Sequence, residues 1–153
     1  MILDRSDDFS FELVIVGYQF PELADGEDDS NWLNVKIVVR HPQGAWSAVD
    51  PALLTYEVSE LVDWLRALSS GDRETLEMYF LEPCLSFRLR HGAQGDELEV
   101  ELAHEFRPPW AKDIDQSAVL LFPLNQDDLF AAAESLYQQL ATYPQRAGRS
   151  DPA

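Results

Sequence analysis

Glu97-Leu98-Glu99-Val100-Glu101-Leu102-Ala103 alternates polar and apolar residues without a break until Ala103. Successive side chains of a strand point to opposite faces, so Leu98, Val100 and Leu102 share one face and Glu97, Glu99, Glu101 and Ala103 the other. A strand with one dry and one wet face belongs in an antiparallel sheet covered on a single side. Upstream, across turn-like residues 91–95, Leu85, Phe87 and Leu89 alternate with Ser86, Arg88 and Arg90. Met78 and Phe80 mark a strand before Glu82-Pro83, and residues 119–122 a last short strand beyond Pro108-Pro109.

The first third of the chain repeats the pattern. Phe9, Phe11, Leu13 and Ile15 alternate with Ser10, Glu12, Val14 and Val16, and Gly17 and Pro21 close the segment. An acid-rich loop follows, then Leu33, Val35, Ile37 and Val39 on one strand face, a turn at Pro42-Gln43-Gly44, and a short third strand around Trp46, Ala48 and Val49. The pattern changes after Asp50-Pro51. Val58, Leu61, Val62, Leu65 and Leu68 recur at helical spacing, with Thr55 as the expected N-cap, Glu57 in the first turn and Gly71 as the stop. Asn125 caps a second helix with the apolar stripe Leu129, Ala132, Leu136 and Leu140.

The order βββ-α-ββββ-α lacks alternating βα units and so predicts an α+β fold rather than a doubly wound sheet. The expectation is one largely antiparallel, twisted sheet of six to seven strands with both helices on its apolar face. It forms a single domain over residues 1–144, with a disordered tail over 145–153.

Composition narrows the function. Nearly half of the 153 residues are apolar, enough for a real core. The 28 acids against 11 Lys and Arg give a formal charge of −17, which repels phosphate backbones and anionic lipids and steers a basic protein inward. Neither nucleic acid nor membrane is an expected partner. No basic, then apolar, N-terminal stretch and no membrane-length apolar run is present, so the expected location is cytoplasmic. Cys84, the single cysteine, reads as a small buried hydrophobe.

The search for catalytic groupings is short. His41, His91 and His104 belong to no paired ligand motif, and Asp25-Gly26-Glu27-Asp28-Asp29-Ser30-Asn31 lacks the spacing of a calcium loop, so no metal or cofactor is expected. There is no G-x-S-x-G turn and no phosphate loop. Glu82, between Leu81 and Pro83, is the one acid whose apolar neighbourhood suggests a raised pKa and hence a small enzyme. The acids read more naturally as a surface. Glu97, Glu99 and Glu101 stand about 7 Å apart on one strand face, and Glu105 is expected to continue that side. They either pair across the strand with Arg88 and Arg90 or form a carboxylate ridge for a partner's Lys and Arg. Asp25, Glu27, Asp28 and Asp29, on an adaptable loop, are the other candidate partner-binding residues.

Gly17-Tyr18-Gln19-Phe20-Pro21 and, after the acidic spacer, Asp29-Ser30-Asn31-Trp32-Leu33-Asn34-Val35 carry a family likeness. Trp46, Leu53-Leu54-Thr55-Tyr56-Glu57 and Glu82-Pro83-Cys84-Leu85-Ser86-Phe87 add to it. Over residues 9–143 the chain resembles the WapI-type immunity proteins, small bacterial proteins that neutralise a cognate polymorphic toxin in the producing cell. The first two motifs are the most specific. The resemblance implies a cytosolic, non-catalytic binder of a toxin domain, often a nuclease. Nuclease domains hold phosphates and tend to be basic, which suits an acidic inhibitor. The motifs do not mark toxin contacts: Tyr18, Trp32 and Trp46 read as core or turn anchors, and Asn31 as a turn residue capping local backbone. Against the immunity reading stand the small enzyme using Glu82 and a structural or adaptor domain with another partner.

Overall fold

The computed structural model describes residues 1–23 and 27–146. Eight strands and two helices follow the order ββββ-α-ββββ-α, so the α+β class holds. The single sheet does not. The strands form two antiparallel sheets of four, each in sequence order, separated by the first helix. The first sheet comprises β1 (Ile2–Ser6), β2 (Phe9–Tyr18), β3 (Trp32–His41) and β4 (Gly44–Leu54); the second comprises β5 (Glu77–Tyr79), β6 (Leu85–Gly92), β7 (Gly95–Leu102) and β8 (Ala118–Pro123). Helix α1 spans Thr55–Ser69 and α2 spans Gln126–Thr142.

Two sequence expectations fail for identifiable reasons. β1 escapes notice because it is an edge strand with Leu3 as its one buried residue, so no alternation marks it. β4 runs past Asp50-Pro51 to Leu54 because a bulge opposite Leu33 and Asn34 absorbs an extra residue, and its edge position tolerates a proline.

Both sheets turn their apolar faces to one core. Phe11, Leu13, Leu33, Val35 and Ile37 are fully buried on one side, and Phe87, Leu98, Val100, Leu102 and Leu120 on the other. Phe87 sits at the junction, with Phe11 of the first sheet 6.3 Å away and Trp64 of α1 also at 6.3 Å, both between ring centroids. Phe9 and Phe122 make a second edge-on contact between the sheets at 5.4 Å. Such close-packed aromatic burial is the dominant stabilising term, at roughly 25 cal/mol for each Å² of apolar surface removed from water.

The helices follow their stripes. Val58, Leu61, Val62, Leu65 and Leu68 of α1, and Leu129, Ala132 and Leu136 of α2, are buried. The helices pack on each other, with Arg66 bonded to Glu134 at 2.7 Å. Gln139 of α2 accepts from the Ile15 amide at 2.7 Å, next to the β2 bulge that interrupts pairing with β3. The Asn125 side chain accepts from the amides of Asp127 and Asp128, as its N-cap position predicts. Gly71 takes φ +91 just past the end of α1, a left-handed conformation that glycine adopts without strain.

Thr55 is not the N-cap of α1. That position belongs to Leu54, whose amide donates to the Glu57 carboxylate at 3.0 Å, and the second Glu57 oxygen accepts from the Leu81 amide at 2.7 Å. The Thr55 hydroxyl instead donates to the Asn31 side-chain oxygen at 2.8 Å, which also accepts from the Arg146 amide at 2.9 Å. Asn31 therefore joins three distant segments rather than capping its own turn. Arg146 stacks on Tyr18 at 3.7 Å and donates to the carbonyls of Phe20, Pro21 and Leu23, holding the Gly17-Tyr18-Gln19-Phe20-Pro21 motif from behind. Of the segment beyond Pro144, residues 147–153 lie outside the described residues.

The buried Glu57 carboxylate predicts a graded stability series. Glu57→Ala leaves two amides unsatisfied and should cost about 2–4 kcal/mol, with Glu57→Gln near half of that because it retains one acceptor. Urea unfolding measures both, and a loss under about 0.5 kcal/mol for the alanine variant would remove the bonds from the account.

Candidate functional site

The acidic β7 face is less available than its spacing suggests. Register sets Arg88 opposite Glu99 and Arg90 opposite Glu97. Both arginines converge on Glu99, at 3.9 and 3.6 Å, and Arg88 also reaches Glu77 at 3.1 Å. Glu99 is only 7% exposed. Glu101 accepts from the Ser117 hydroxyl at 2.9 Å and stays half-buried, as does Glu97. Cross-strand pairing thus takes the centre of this face, with Glu101 at its far end.

Glu105 does not continue the strand. His104 adopts φ +48, a left-handed conformation uncommon outside glycine, and begins a one-turn 3-10 helix, His104–Phe106. The turn carries Glu105 away from the β7 face. It is held there by Trp46, whose indole N–H donates to the Phe106 carbonyl at 3.1 Å, and by Arg107, which donates to the His104 carbonyl at 2.7 Å. Trp46 itself is buried, as an anchor should be.

Glu105 instead joins a cleft of about 450 Å³ lined by Gln19, Phe20, Asp29, Trp32, Asp50, Pro51, Glu82 and Glu105. Four of the eight are carboxylates, and none is a Lys, Arg or His. Each acid arrives on a different support. Asp29 lies on the 3-10 helix Asp28–Asn31 anchored by Asn31; Asp50 lies at the β4 bulge; Glu82 follows Leu81, whose amide Glu57 holds; Glu105 rides on the turn fixed by Trp46. Half-buried Trp32 and Phe20 give the cleft aromatic walls, so Trp32 is more than a packing anchor.

Electrostatics register the crowding. The Asp50 carboxyl is pushed above its ordinary range, first by burial and then by Glu105 and Glu82. Cys84 lies beneath, almost fully buried, and its thiol is pushed up to about 12 by burial and by the same three acids. At that value almost no thiolate exists at neutral pH, so Cys84 is a packing residue and a poor nucleophile. Among the described residues, no three His, Cys, Asp or Glu are grouped closely enough to hold a metal ion. No helix among them is long and apolar enough to cross a membrane.

Of the candidate partner-binding residues, Asp29 and Glu105 come together in the cleft. Glu97, Glu99 and Glu101 remain on the separate β7 face. Glu27 is exposed on the approach to the 3-10 helix, whereas Asp25 and the side chain of Asp28 lie outside the described residues. Sequence reasoning missed Asp50 altogether. It sits where helical spacing was about to begin, and nothing in its neighbourhood signals a bulge facing Glu82 and Glu105, which lie 32 and 55 positions away.

Fold and cleft together define an α+β protein with an acid-lined, aromatic-walled surface depression. The model of the WapI-like immunity protein family matches residues 1–144, and the chain belongs to that family. The match includes every residue of the cleft. Comparison with curated proteins gives no significant match.

Burial fixes the sign of the pH response. Asp50 and Glu57 both have folded-state pKa values raised above their ordinary 3.8 and 4.5, so the folded state binds their protons more readily than the unfolded chain. Their contribution to stability is present at low pH and lost as pH rises through the raised values. The opposing Asp96, lowered first by its bond to His91, acts only below its ordinary 3.8. Thermal stability should therefore rise as pH falls from neutrality towards the ordinary values of the two groups. Asp50→Asn should raise Tm at neutral pH and flatten the dependence. A Tm that falls steadily over this interval would contradict the assignment.

Proposed function

We propose that this chain is a non-catalytic immunity protein that neutralises a cognate bacterial toxin by direct binding, the toxin presenting a basic surface such as that of a nuclease. The observation that carries this reading is the convergence of four carboxylates from four separate elements, without a compensating cation, in a member of an immunity family. Glu105 and Glu82, which add to the rise that burial imposes on Asp50, cost stability in the free protein. A guanidinium or ammonium from a partner relieves that cost on binding, and this is the electrostatic complementarity that speeds association and selects partners.

The remaining charge acts at longer range. With a net −17, the molecule attracts a basic domain before contact, and the acids flanking the cleft, Glu27 among them, extend the field outward. The same charge disfavours nucleic acid and anionic membrane as ligands. Action inside the toxin-producing cell places the protein in the cytoplasm. Glu97, Glu99 and Glu101 contribute less than the cleft, because Arg88 and Arg90 already neutralise the middle of their face.

One observation favours catalysis as a second reading: Asp50, an acid with raised pKa in an open cleft, has the property of a general acid. The role that the sequence offered to Glu82 would pass to Asp50. The thiol beneath it lacks the thiolate needed for a covalent step.

The test is binding to a candidate toxin domain, sought among the products of the genes adjacent to that of this chain. Glu82→Gln with Glu105→Gln should slow association by about tenfold at low salt, as expected when steering charges are removed. The wild-type rate should fall as ionic strength rises from about 0.05 to about 0.5 M. A toxin-exposed cell carrying the variant should lose protection. Association that is flat with salt and unchanged in the double variant would refute the cleft as the receiving site, and protection lost solely through Asp50→Asn with binding intact would favour the catalytic reading.

A further inference from the structure

Beside the cleft, on the outer face of the second sheet, lies another depression of about 300 Å³, whose lining includes Tyr79, Phe80, Pro83, Glu101, Ile114 and Asp115. Its floor follows from strand register. Tyr79 pairs with Ser86, Ser86 with Glu101, and Glu101 with Val119, so one row of side chains crosses all four strands on a single face. Apolar side chains stand exposed at the margins of this depression. Tyr79 is 61% exposed and Ile114 is 55% exposed. Scattered apolar residues on a surface mean little, but apolar side chains around a depression with a polar rim mark contact surfaces.

The two depressions share a wall. Phe80 and Pro83 line the groove while Glu82 lines the cleft, and His104 lines the groove while Glu105 lines the cleft. Consecutive residues stand about 3.8 Å apart, so the groove and the cleft flank one narrow ridge. Leu81 is on that ridge and is 69% exposed, the highest value among the large apolar side chains that stand exposed. Its backbone is not free to adapt, because the buried Glu57 carboxylate holds its amide at 2.7 Å. The other side of the ridge turns at the strained His104. An exposed leucine on a fixed backbone is pre-organised to bury against a partner, at a lower ordering cost than a mobile loop would carry.

Charge favours the same partner for both depressions. Glu101 and Asp115 border the groove, and no Lys or Arg lines it. Arg88 and Arg90 are engaged with Glu77 and Glu99, Arg88 also reaching the Tyr79 hydroxyl at 3.5 Å, and Glu101 and Asp115 carry the negative charge of the groove itself. We infer that groove, Leu81 ridge and cleft form one two-part docking surface for a basic protein domain, which seats an apolar or aromatic side chain in the groove and a Lys or Arg in the cleft. This rests on the immunity reading and adds the apolar anchor that the cleft alone lacks. In such interfaces a few buried apolar or aromatic contacts set the dissociation rate, while charges set the approach.

The experiment measures association and dissociation rates separately, with the purified, inactivated form of the candidate toxin domain named above as the probe. Tyr79→Ala, Leu81→Ala and Ile114→Ala, combined, should raise Kd by about tenfold or more through faster dissociation, with association rate and salt dependence unchanged. All three side chains are exposed, and an unchanged Tm verifies that the variant is folded. Phe130→Ala, an exposed aromatic (54%) on α2, serves as the control and should bind like the wild type. Wild-type dissociation in the triple variant, beside slower association in Glu82→Gln with Glu105→Gln, would remove the groove and leave the cleft and its function standing. Equal weakening by Phe130→Ala would overturn the assignment of the surface. Absence of wild-type binding to the domain would remove both the surface and the function beneath it.

Discussion

One buried carboxylate ties this molecule together. Glu57 accepts from the amide that ends the first sheet and from the amide that leads into the second half of the second sheet, and it does so from the first turn of the helix that separates them. Its burial opposes ionisation, and the two amide bonds offset that cost in part. An amphipathic helix and two amphipathic sheets could stack in several ways while burying the same apolar area. A buried polar group with two fixed partners penalises every arrangement that leaves it unpaired. The same bonds set the position of Leu81 and Glu82, so the constraint on the fold is also a constraint on the surface.

A similar economy recurs at the other supports. Asn31 accepts from Thr55 at the start of α1 and from Arg146 after α2, and the segment it anchors carries Asp29. Trp46 bonds the turn that carries Glu105. The two motifs most specific to the family, Gly17-Tyr18-Gln19-Phe20-Pro21 and Asp29-Ser30-Asn31-Trp32-Leu33, meet through Arg146, which bonds to both. They are positioning elements that also supply Gln19, Phe20, Asp29 and Trp32 to the cleft wall. Reading the aromatics as core or turn anchors holds for Trp46, outside these motifs, and is incomplete for Trp32 within them.

The two acidic surfaces differ in a way that matters for binding. On the β7 face, opposite charges sit across the strand, and Glu99 is buried between two arginines at little net gain or loss. In the cleft, four carboxylates line one depression, and no Lys or Arg stands among its described lining residues. Nearby carboxylates disfavour each other's ionised forms, and Glu105 and Glu82 add in this way to the rise that burial already imposes on Asp50. A protein keeps such an arrangement only where the surrounding fold holds it in place, and three of the four acids in the cleft sit beside a buried or half-buried polar bond.

The residues themselves determined the local elements. Alternation in Leu98, Val100 and Leu102 and in Phe11, Leu13 and Ile15 fixes which face is buried, because strand side chains have a period of two whatever they pack against. Helical spacing fixes the stripes of α1 and α2, and Asn125 fixes where α2 begins. The motifs also sufficed to place the chain in its family. Period and capping are short-range properties, so they leave a trace within a few residues. Pairing between strands does not, and that is why eight strands in two sheets could pass for a single sheet of six or seven. The same limit separated Asp29, Asp50, Glu82 and Glu105 in the sequence and left open whether Glu97, Glu99 and Glu101 pair with Arg88 and Arg90. Only the register of β6 on β7 neutralises Glu99, and only a bulge in β4, a left-handed His104 and the bonds of Glu57, Asn31 and Trp46 bring four distant carboxylates to one cleft. Those are long-range contacts, set by how the two sheets close over a shared core, and the tertiary structure alone decides them.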